Sequence, residues 1–368
     1  MEKEILPQLQ PLSGWNSKAG KPLVIAGPCS AESPEQLLSV ANSLKSTNAV
    51  SYLRAGVWKP RTTPNSFQGY GSEALTWLRD VKRETGLPFS TEVGSHQHVY
   101  EALKFGADLL WIGARTVSNP FAMQEIADAL KGVDIPVLVK NPLSPDIELW
   151  EGAIRRLYNA GIFKLGAIHR GFSIWGKSVF RNQPLWDIPL QLKMRYPNLP
   201  IICDPSHITG KSDLVTLVAQ RAMDLNFDGL MVEVHPYPEI ALSDSAQQLT
   251  PKQFSDLSKL ILAEEAPSRK FSLEMLDELR AEIDIMDDLL LWVLSNRMEL
   301  AGKIADVKRN EKMQVLQSTR WNQVLERVTS KGAESGLRPQ FLEKLFRSIH
   351  EESVGMQKNL IAYEKRVI

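Results

Sequence analysis

Tyr52-Leu-Arg-Ala-Gly-Val-Trp-Lys-Pro-Arg-Thr-Thr63 begins as a short apolar run and ends among three cations, Arg54, Lys59 and Arg61. Successive strand residues point to opposite faces, and Pro60 cannot continue a central strand. The stretch therefore reads as a strand end that opens into a site for a doubly anionic, phosphorylated ligand. The competing reading is a solvated basic turn, because basic residues usually lie at the surface. What separates the two is whether the same pattern recurs along the chain.

It recurs. Short apolar or β-branched runs lie at Leu23-Ala26, Tyr52-Val57, Pro88-Glu92, Leu109-Gly113, Pro136-Lys140, Phe163-Ile168, Pro200-Asp204 and Gly229-Val234. Between them, stretches such as Glu35-Lys45, Ser72-Glu84, Ser95-Phe105, Phe121-Leu130, Asp146-Tyr158 and Ser212-Met223 repeat apolar residues at steps of three and four, as helices do. Alternating strands and helices imply parallel pairing with right-handed crossovers. Eight such units closing on themselves predict a (β/α)8 TIM barrel, whose usual length of about 250 residues fits a domain over 1–264. An open doubly wound sheet is disfavoured because no Gly-x-Gly-x-x-Gly follows the first strand. Before the barrel, an arm carrying Leu6, Leu9, Leu12 and Trp15 could cap an apolar surface.

On this frame the polar outliers gather at one rim. Cys29 lies just past strand one, Arg54 and Lys59 end strand two, Glu92 ends strand three and Arg115 follows strand four. Lys140 ends strand five, Arg170 follows strand six, His207 follows strand seven and Glu233 ends strand eight, with Asp244 in the loop beyond. Active sites of barrels are built at the C-terminal ends of the strands, so scattered positions become one pocket.

Cys29, His207, Glu233 and Asp244 offer a thiolate, an imidazole and two carboxylates. That mixture suits a divalent transition ion, manganese, iron, cobalt or zinc, and not magnesium. Cys203, inside the strand-seven run, reads instead as a small buried hydrophobe. Arg54, Lys59, Arg61, Arg115, Lys140 and Arg170 crowd six cations around the same point. Burying like charges is costly without anions to pair with them, so the expected ligands bring phosphates and a carboxylate.

Overall charge says little: Lys+Arg 43 balance Asp+Glu 43 in 368 residues, which gives no reason to expect nucleic acid or a membrane surface as partner. Two cysteines cannot form a disulfide framework, the first residues lack the apolar centre of a signal peptide, and no stretch approaches the roughly 18 apolar residues of a membrane span. A cytoplasmic enzyme is expected.

The ordered motifs Gly27-Pro-Cys-Ser30, Lys59-Pro-Arg-Thr-Thr63, Gly113-Ala-Arg-Thr116, Val139-Lys-Asn141, His169-Arg-Gly171, Asp204-Pro-Ser-His207, Met231-Val-Glu-Val-His-Pro236 and Leu242-Ser-Asp244 resemble the signature set of 3-deoxy-D-arabino-heptulosonate 7-phosphate (DAHP) synthase. The likeness is to the compact subtype that lacks a large N-terminal regulatory domain, and it covers about residues 23 to 245. It implies condensation of phosphoenolpyruvate with erythrose 4-phosphate. By that resemblance Cys29, His207, Glu233 and Asp244 would hold the metal, a Lewis acid on the aldehyde oxygen. Arg54, Lys59, Arg115, Lys140 and Arg170 would hold phosphoenolpyruvate, and Arg61 with Thr62 would hold erythrose phosphate. Lys59 would give a proton to the forming alkoxide, and Glu92 would manage the attacking water. The related synthases that use arabinose 5-phosphate to make 3-deoxy-octulosonate 8-phosphate typically carry Lys-Ala-Asn-Arg where this chain has Lys-Pro-Arg-Thr; the departure favours the four-carbon aldehyde.

After a charged, proline-containing linker over 265–271, residues 272–368 read as all-helical. One helix of roughly 35 residues, Ser272 to about Lys308, would span about 50 Å. It is too long for a lone small domain and calls for a partner helix, most simply in a homodimer, with a homotetramer if the barrels also pair. Further helices are expected over Ser318 to Ser330 and Pro339 to about Lys365. Stepping along the first helix from Val293 by threes and fours reaches Arg297, Ala301, Ile304 and Lys308; two cations on an apolar face need partners.

Leu279-Arg280, Arg297-Met-Glu-Leu-Ala301, Val307-Lys308 and Glu352-Ser-Val354 with Gln357 resemble the all-helical chorismate mutase family. The resemblance implies a dicarboxylate pocket of Arg280, Arg297, Lys308, Arg320, Ser353 and Gln357, in which Lys308 and Gln357 bind the ether oxygen of chorismate as it rearranges to prephenate, with no cofactor. Family members often carry an acid for the substrate hydroxyl where this chain has Trp321, and Gln317 replaces another acid upstream. The second reading is thus a sensor: the tail binds chorismate or prephenate and inhibits the barrel, prephenate being the candidate feedback inhibitor.

Overall fold

A computed structural model describes residues 6–15, 21–60, 66–174, 179–262, 273–311, 313–315, 318–334 and 336–364, with 261, 262, 273–286, 288, 289, 318, 334 and 361–364 described only in their backbone course. Two compact units emerge, Met1–Ser268 and Arg269–Ile368; the expected linker falls outside the described residues.

The first unit is a closed barrel of eight parallel strands in sequence order: β1 Leu23–Gly27, β2 Tyr52–Arg54, β3 Phe89–Val93, β4 Leu109–Ile112, β5 Val137–Lys140, β6 Leu165–His169, β7 Ile201–Cys203 and β8 Gly229–Glu233. Pairing of Gly27 with Glu233 closes the ring between β1 and β8. The helices are α1 Pro34–Ser46, α2 Ser72–Thr85, α3 His96–Lys104, α4 Ala114–Val117, α5 Pro120–Ala129, α6 Ile147–Asn159, α7 Asp187–Arg195, α8 Pro205–Thr209, α9 Val215–Asp224 and α10 Pro251–Leu262. Local chemistry sets where they begin. Ser33, Ser95, Asn119, Asp146 and Asp204 each accept a backbone N–H in the first turn of α1, α3, α5, α6 and α8, and such caps satisfy donors that have no partner within the helix.

The strands are buried on both faces, so each separates two cores. Outward residues such as Val24, Leu53 and Val139 pack under the helices. Inward residues Leu23, Ile25, Tyr52, Leu109, Trp111, Leu138, Ile168, Ile202 and Met231 fill the barrel, and Trp15 joins them. The N-terminal arm is therefore a cap, as expected: the indole of Trp15 is 1% exposed, while Gln10 donates its backbone N–H to Phe163. Strand parity then determines the rim, since a step of two keeps the same face. Tyr52 leads to Arg54, Leu138 to Lys140, Ile202 to Asp204 and Met231 to Glu233.

His169 has the opposite parity and faces the helix layer, where Trp186, Phe172 and Phe227 surround its ring at 5.2–6.1 Å. Burial, with Arg170 adjacent, pushes the imidazole down to about 3. A folded-state pKa below the unfolded value of about 6.5 means that the unfolded chain takes up the proton first; stability is complete above about pH 6.5 and falls as the pH drops toward 3. At pH 5 this group alone should cost about 2 kcal/mol. His169→Phe is expected to flatten the acid limb of a denaturation series followed by tryptophan fluorescence; wild-type and variant midpoints falling in parallel between pH 7.5 and 5 would refute the assignment.

The second unit holds α11 Leu273–Asn310, α12 Ser318–Glu334 and α13 Pro339–Glu364. α11 is 38 residues long, about 57 Å at the usual rise. Ala301, Ala305, Leu342, Ser353 and Gln357 are buried within the unit. Leu291, Leu300 and Val307 on α11 are exposed at 65%, 58% and 60%. No helix among the described residues is long and apolar enough to cross a membrane.

Candidate active site

At the C-terminal rim of the barrel, ligand-type atoms of Cys29, Glu233 and Asp244 all lie within 4.8 Å of one another. Cys29 Sγ is 3.3 Å from Asp244 Oδ2, and His207 Nε2 approaches Glu233 Oε1 at 3.8 Å. Asp204 holds the other ring nitrogen of His207, Nδ1, at 2.9 Å, and burial lowers the pKa of the imidazole despite Asp204. A neutral ring whose Nδ1–H donates to a carboxylate presents its Nε2 lone pair, as metal-binding histidines do. Asp244 sits at φ 48°, the left-handed region that aspartate tolerates better than most residues. Burial and Glu233 raise the Cys29 thiol to about 12, so a cation that binds sulfur must displace a proton. The donor set fits one divalent transition ion.

Lys59 Nζ lies 2.9 Å from both the sulfur and the carbonyl oxygen of Cys29. Gly56 permits this approach: a Cβ there would stand 3.2 Å from that Nζ and 2.8 Å from Cys29 O. Burial opposes the Lys59 charge, but Cys29, Glu233 and Glu92 outweigh it and raise its pKa. Glu92 accepts the indole N–H of Trp111 at 3.0 Å.

The remaining cations divide into two kinds. Lys140 pairs with Asp204 at 2.9 Å and Arg54 with Glu233 at 2.9 Å. Arg54 is 1% exposed, yet its Nε and Nη1 find no hydrogen-bond partner among the described residues. Buried guanidinium N–H groups without acceptors are costly, and they point to an anionic ligand. Arg170 is also buried; burial, with Arg181 and Arg115 nearby, pulls it down to about 10, which leaves it charged at neutral pH. Arg115 is exposed at the same mouth. Arg61 and Thr62 lie outside the described residues.

Several polar residues that support this site carry no obvious signal in the sequence. Asp204 is visible there only as part of Asp204-Pro-Ser-His207. Asn141 accepts the backbone N–H of Arg170 at 2.7 Å. Asn182 accepts from the Arg170 guanidinium at 2.7 Å and donates to the carbonyl of His207 at 2.7 Å. Arg181 bridges Asp244 and Gln247, and Gln247 donates to Glu233 at 2.6 Å.

In the helical unit, a cavity of about 470 Å³ is lined by Arg297, Lys308, Arg320, Trp321, Ser353 and Gln357, among others. Arg297 donates to Ser353 Oγ at 2.5 Å. Lys308 Nζ donates to the carbonyl of Val315 at 2.6 Å and to Gln357 Oε1 at 3.3 Å. Because Oε1 accepts from lysine, the amide NH2 of Gln357 remains to donate elsewhere. The side chain of Arg280 and residue Gln317 fall outside the described set.

The family model described as DAHP synthetase I family matches residues 13–266. The chain belongs to the DAHP synthetase I family. A second model, chorismate mutase type II, matches residues 279–358. A phospho-2-dehydro-3-deoxyheptonate aldolase of Thermotoga maritima is 35% identical over 234 residues, 64% of this chain and 67% of that protein. The crystal structure of a Thermotoga maritima DAHP synthase superposes with a TM-score of 0.62 at 32% identity, covering 69% of this chain and 72% of the other. A 2-dehydro-3-deoxyphosphooctonate aldolase of Rhodopseudomonas palustris is 27% identical over 296 residues, 74% of this chain and 98% of that protein, a weaker likeness. The chain thus joins a DAHP synthase to a chorismate mutase, two activities of the shikimate pathway.

Proposed function

We propose that the rim of the barrel condenses phosphoenolpyruvate with erythrose 4-phosphate through residues acting in three groups. Cys29, His207, Glu233 and Asp244 hold a divalent transition ion, which when bound supplies Lewis-acid polarisation of the aldehyde. Arg54, Arg115, Lys140 and Arg170 grip the phosphate and carboxylate of phosphoenolpyruvate, and Arg61 with Thr62 holds the phosphate of the aldehyde. Lys59 Nζ delivers a proton to the aldehyde oxygen as it becomes an alkoxide, while Glu92, steadied by Trp111, orients the water that attacks the second carbon. The observation that carries this reading is the place of Lys59, protonated and 2.9 Å from the sulfur of the metal-type cluster.

In the helical unit, Arg297 and Arg320, with Arg280, bind the two carboxylates of chorismate, and Lys308 and Gln357 meet its ether oxygen. Exposed Leu291, Leu300 and Val307 on α11 favour a homodimer through this helix, with a homotetramer if the barrels pair as well. Both reactions suit a cytoplasmic enzyme.

Treating the purified chain with a chelator is expected to abolish phosphoenolpyruvate consumption with erythrose 4-phosphate, and adding manganese to restore it. Full activity after verified metal removal would overturn the metal assignment; activity with arabinose 5-phosphate alone would overturn the aldehyde. The restored assay repeated with saturating prephenate tests feedback, and an unchanged rate would remove it.

A further inference from the structure

The mutase cavity contains two polar side chains to which the roles above give nothing to do, Arg327 and His350. His350, on α13, lines the cavity beside Arg297 and Lys308. Ser353 and Gln357 follow it at i+3 and i+7, so all three side chains share one helix face. Its ring is held in place: it stacks on Trp321 with centroids 4.3 Å apart and planes 21° from parallel. No hydrogen bond from a described residue engages its ring nitrogens. Burial, with Arg297 and Lys308 nearby, lowers its pKa, which keeps the ring neutral at pH 7. A neutral imidazole has one N–H donor and one lone pair and can meet a hydroxyl from either side.

Chorismate offers two carboxylates, an ether oxygen and a secondary hydroxyl. The arginines account for the carboxylates, and Lys308 with Gln357 for the ether. The hydroxyl is the remaining polar group; of the two unassigned wall residues Arg327 can only donate, whereas His350 can both donate and accept, as a hydroxyl does. We infer that His350, fixed by its stack on Trp321, binds the ring hydroxyl of chorismate and gives this mutase its selectivity for the hydroxylated substrate. The inference rests on the mutase reading of the cavity. It also accounts for Trp321, since an indole cannot accept a hydrogen bond from the hydroxyl but can hold the imidazole that does.

The test compares chorismate with its 4-deoxy analogue in wild type, His350→Ala, His350→Gln, Trp321→Phe and Lys308→Ala. Wild type is expected to favour chorismate about tenfold in kcat/KM, the worth of one partly exposed hydrogen bond. His350→Ala should raise the chorismate KM about tenfold, change kcat much less, and bring the ratio of the two substrates near one. His350→Gln, which keeps a donor and an acceptor, and Trp321→Phe, which keeps the stack, should preserve most of the preference. A His350→Ala protein with normal helical circular dichroism and an undiminished preference would overturn the inference. If His350→Ala also loses helicity, His350→Gln decides the matter, because a ratio falling to one despite the retained hydrogen-bonding groups contradicts the proposal. Loss of turnover in Lys308→Ala alone leaves the mutase reading standing whatever His350 does; wild type that neither binds nor converts either compound removes that reading first.

Discussion

Lys59→Met is expected to reduce DAHP formation by about 10²–10⁴-fold, the range lost when a positioned general acid is removed. Three features of the site make this the largest effect there. The ammonium is 2.9 Å from Cys29 Sγ and from Cys29 O, so it stands where the aldehyde must meet the donor set. Burial opposes its charge, yet Cys29, Glu233 and Glu92 raise its pKa, so the proton is present at neutral pH. Arg54 and Lys140 are already paired with Glu233 and Asp204 and cannot replace it as donor without breaking buried ion pairs. Lys59→Arg separates charge from proton delivery: guanidinium keeps the charge but gives up a proton far less readily, and should rescue little. Steady-state phosphoenolpyruvate consumption, with metal content measured alongside, checks the result. A Met variant within threefold of wild type at equal metal content would leave Lys59 as a charge partner only.

In the mutase unit, Lys308→Ala should lower kcat by about 10²–10³-fold with a smaller change in KM, since the ether oxygen gains its negative charge only in the transition state. The geometry supports this division. The ammonium is tied to Val315 O at 2.6 Å and to Gln357 Oε1 at 3.3 Å, leaving a third donor for substrate. Chorismate disappearance followed by ultraviolet absorbance reports the rate, and equilibrium binding reports affinity. An alanine variant that loses affinity while keeping its kcat would show that the lysine serves the ground state, which favours the sensor reading of the tail over the catalytic one.

Much of the barrel is legible in the sequence because a parallel barrel writes its design in short units. Each apolar run is followed by its polar outlier, and Lys140 and Glu233 end theirs as expected. Run lengths are less legible: β2 spans Tyr52–Arg54, shorter than Tyr52–Val57, because the backbone beyond Arg54 turns to bring Gly56 against Cys29. α7, over Asp187–Arg195, has a weak apolar stripe and begins at Trp186 without a side-chain cap, so its sequence gives little warning of a helix. The supporting polar residues are hidden for a different reason. Asn141, Asn182 and Gln247 matter through partners 12 to 66 positions away, and amide side chains carry no charge pattern to announce such a partner. His350 escapes for a third reason: the apolar stripe of α13 passes through Ile349, and only counting back from Gln357 and Ser353 selects its neighbour.

The alternation along the barrel strands has a consequence for how this half of the chain can change in length. His169 and Arg170 are adjacent in sequence, yet one belongs to the layer under the helices and the other to the mouth of the barrel. One residue deleted from β6 would bring Arg170 into the place of His169, putting a guanidinium among Trp186 and Phe227, and one inserted would bring His169 into the place of Arg170, putting an imidazole among the anion-binding groups. The same holds at β2, β5 and β8, where Tyr52 and Arg54, Leu138 and Lys140, or Met231 and Glu233 share a face. Single-residue insertions and deletions should therefore be excluded from the strands, while the connections are free to lengthen only beyond the site residues they carry, Cys29, Lys59, His207 and Asp244. New substrate preferences in this framework are open to arise through the loops, with the strand ends kept as fixed anchor points.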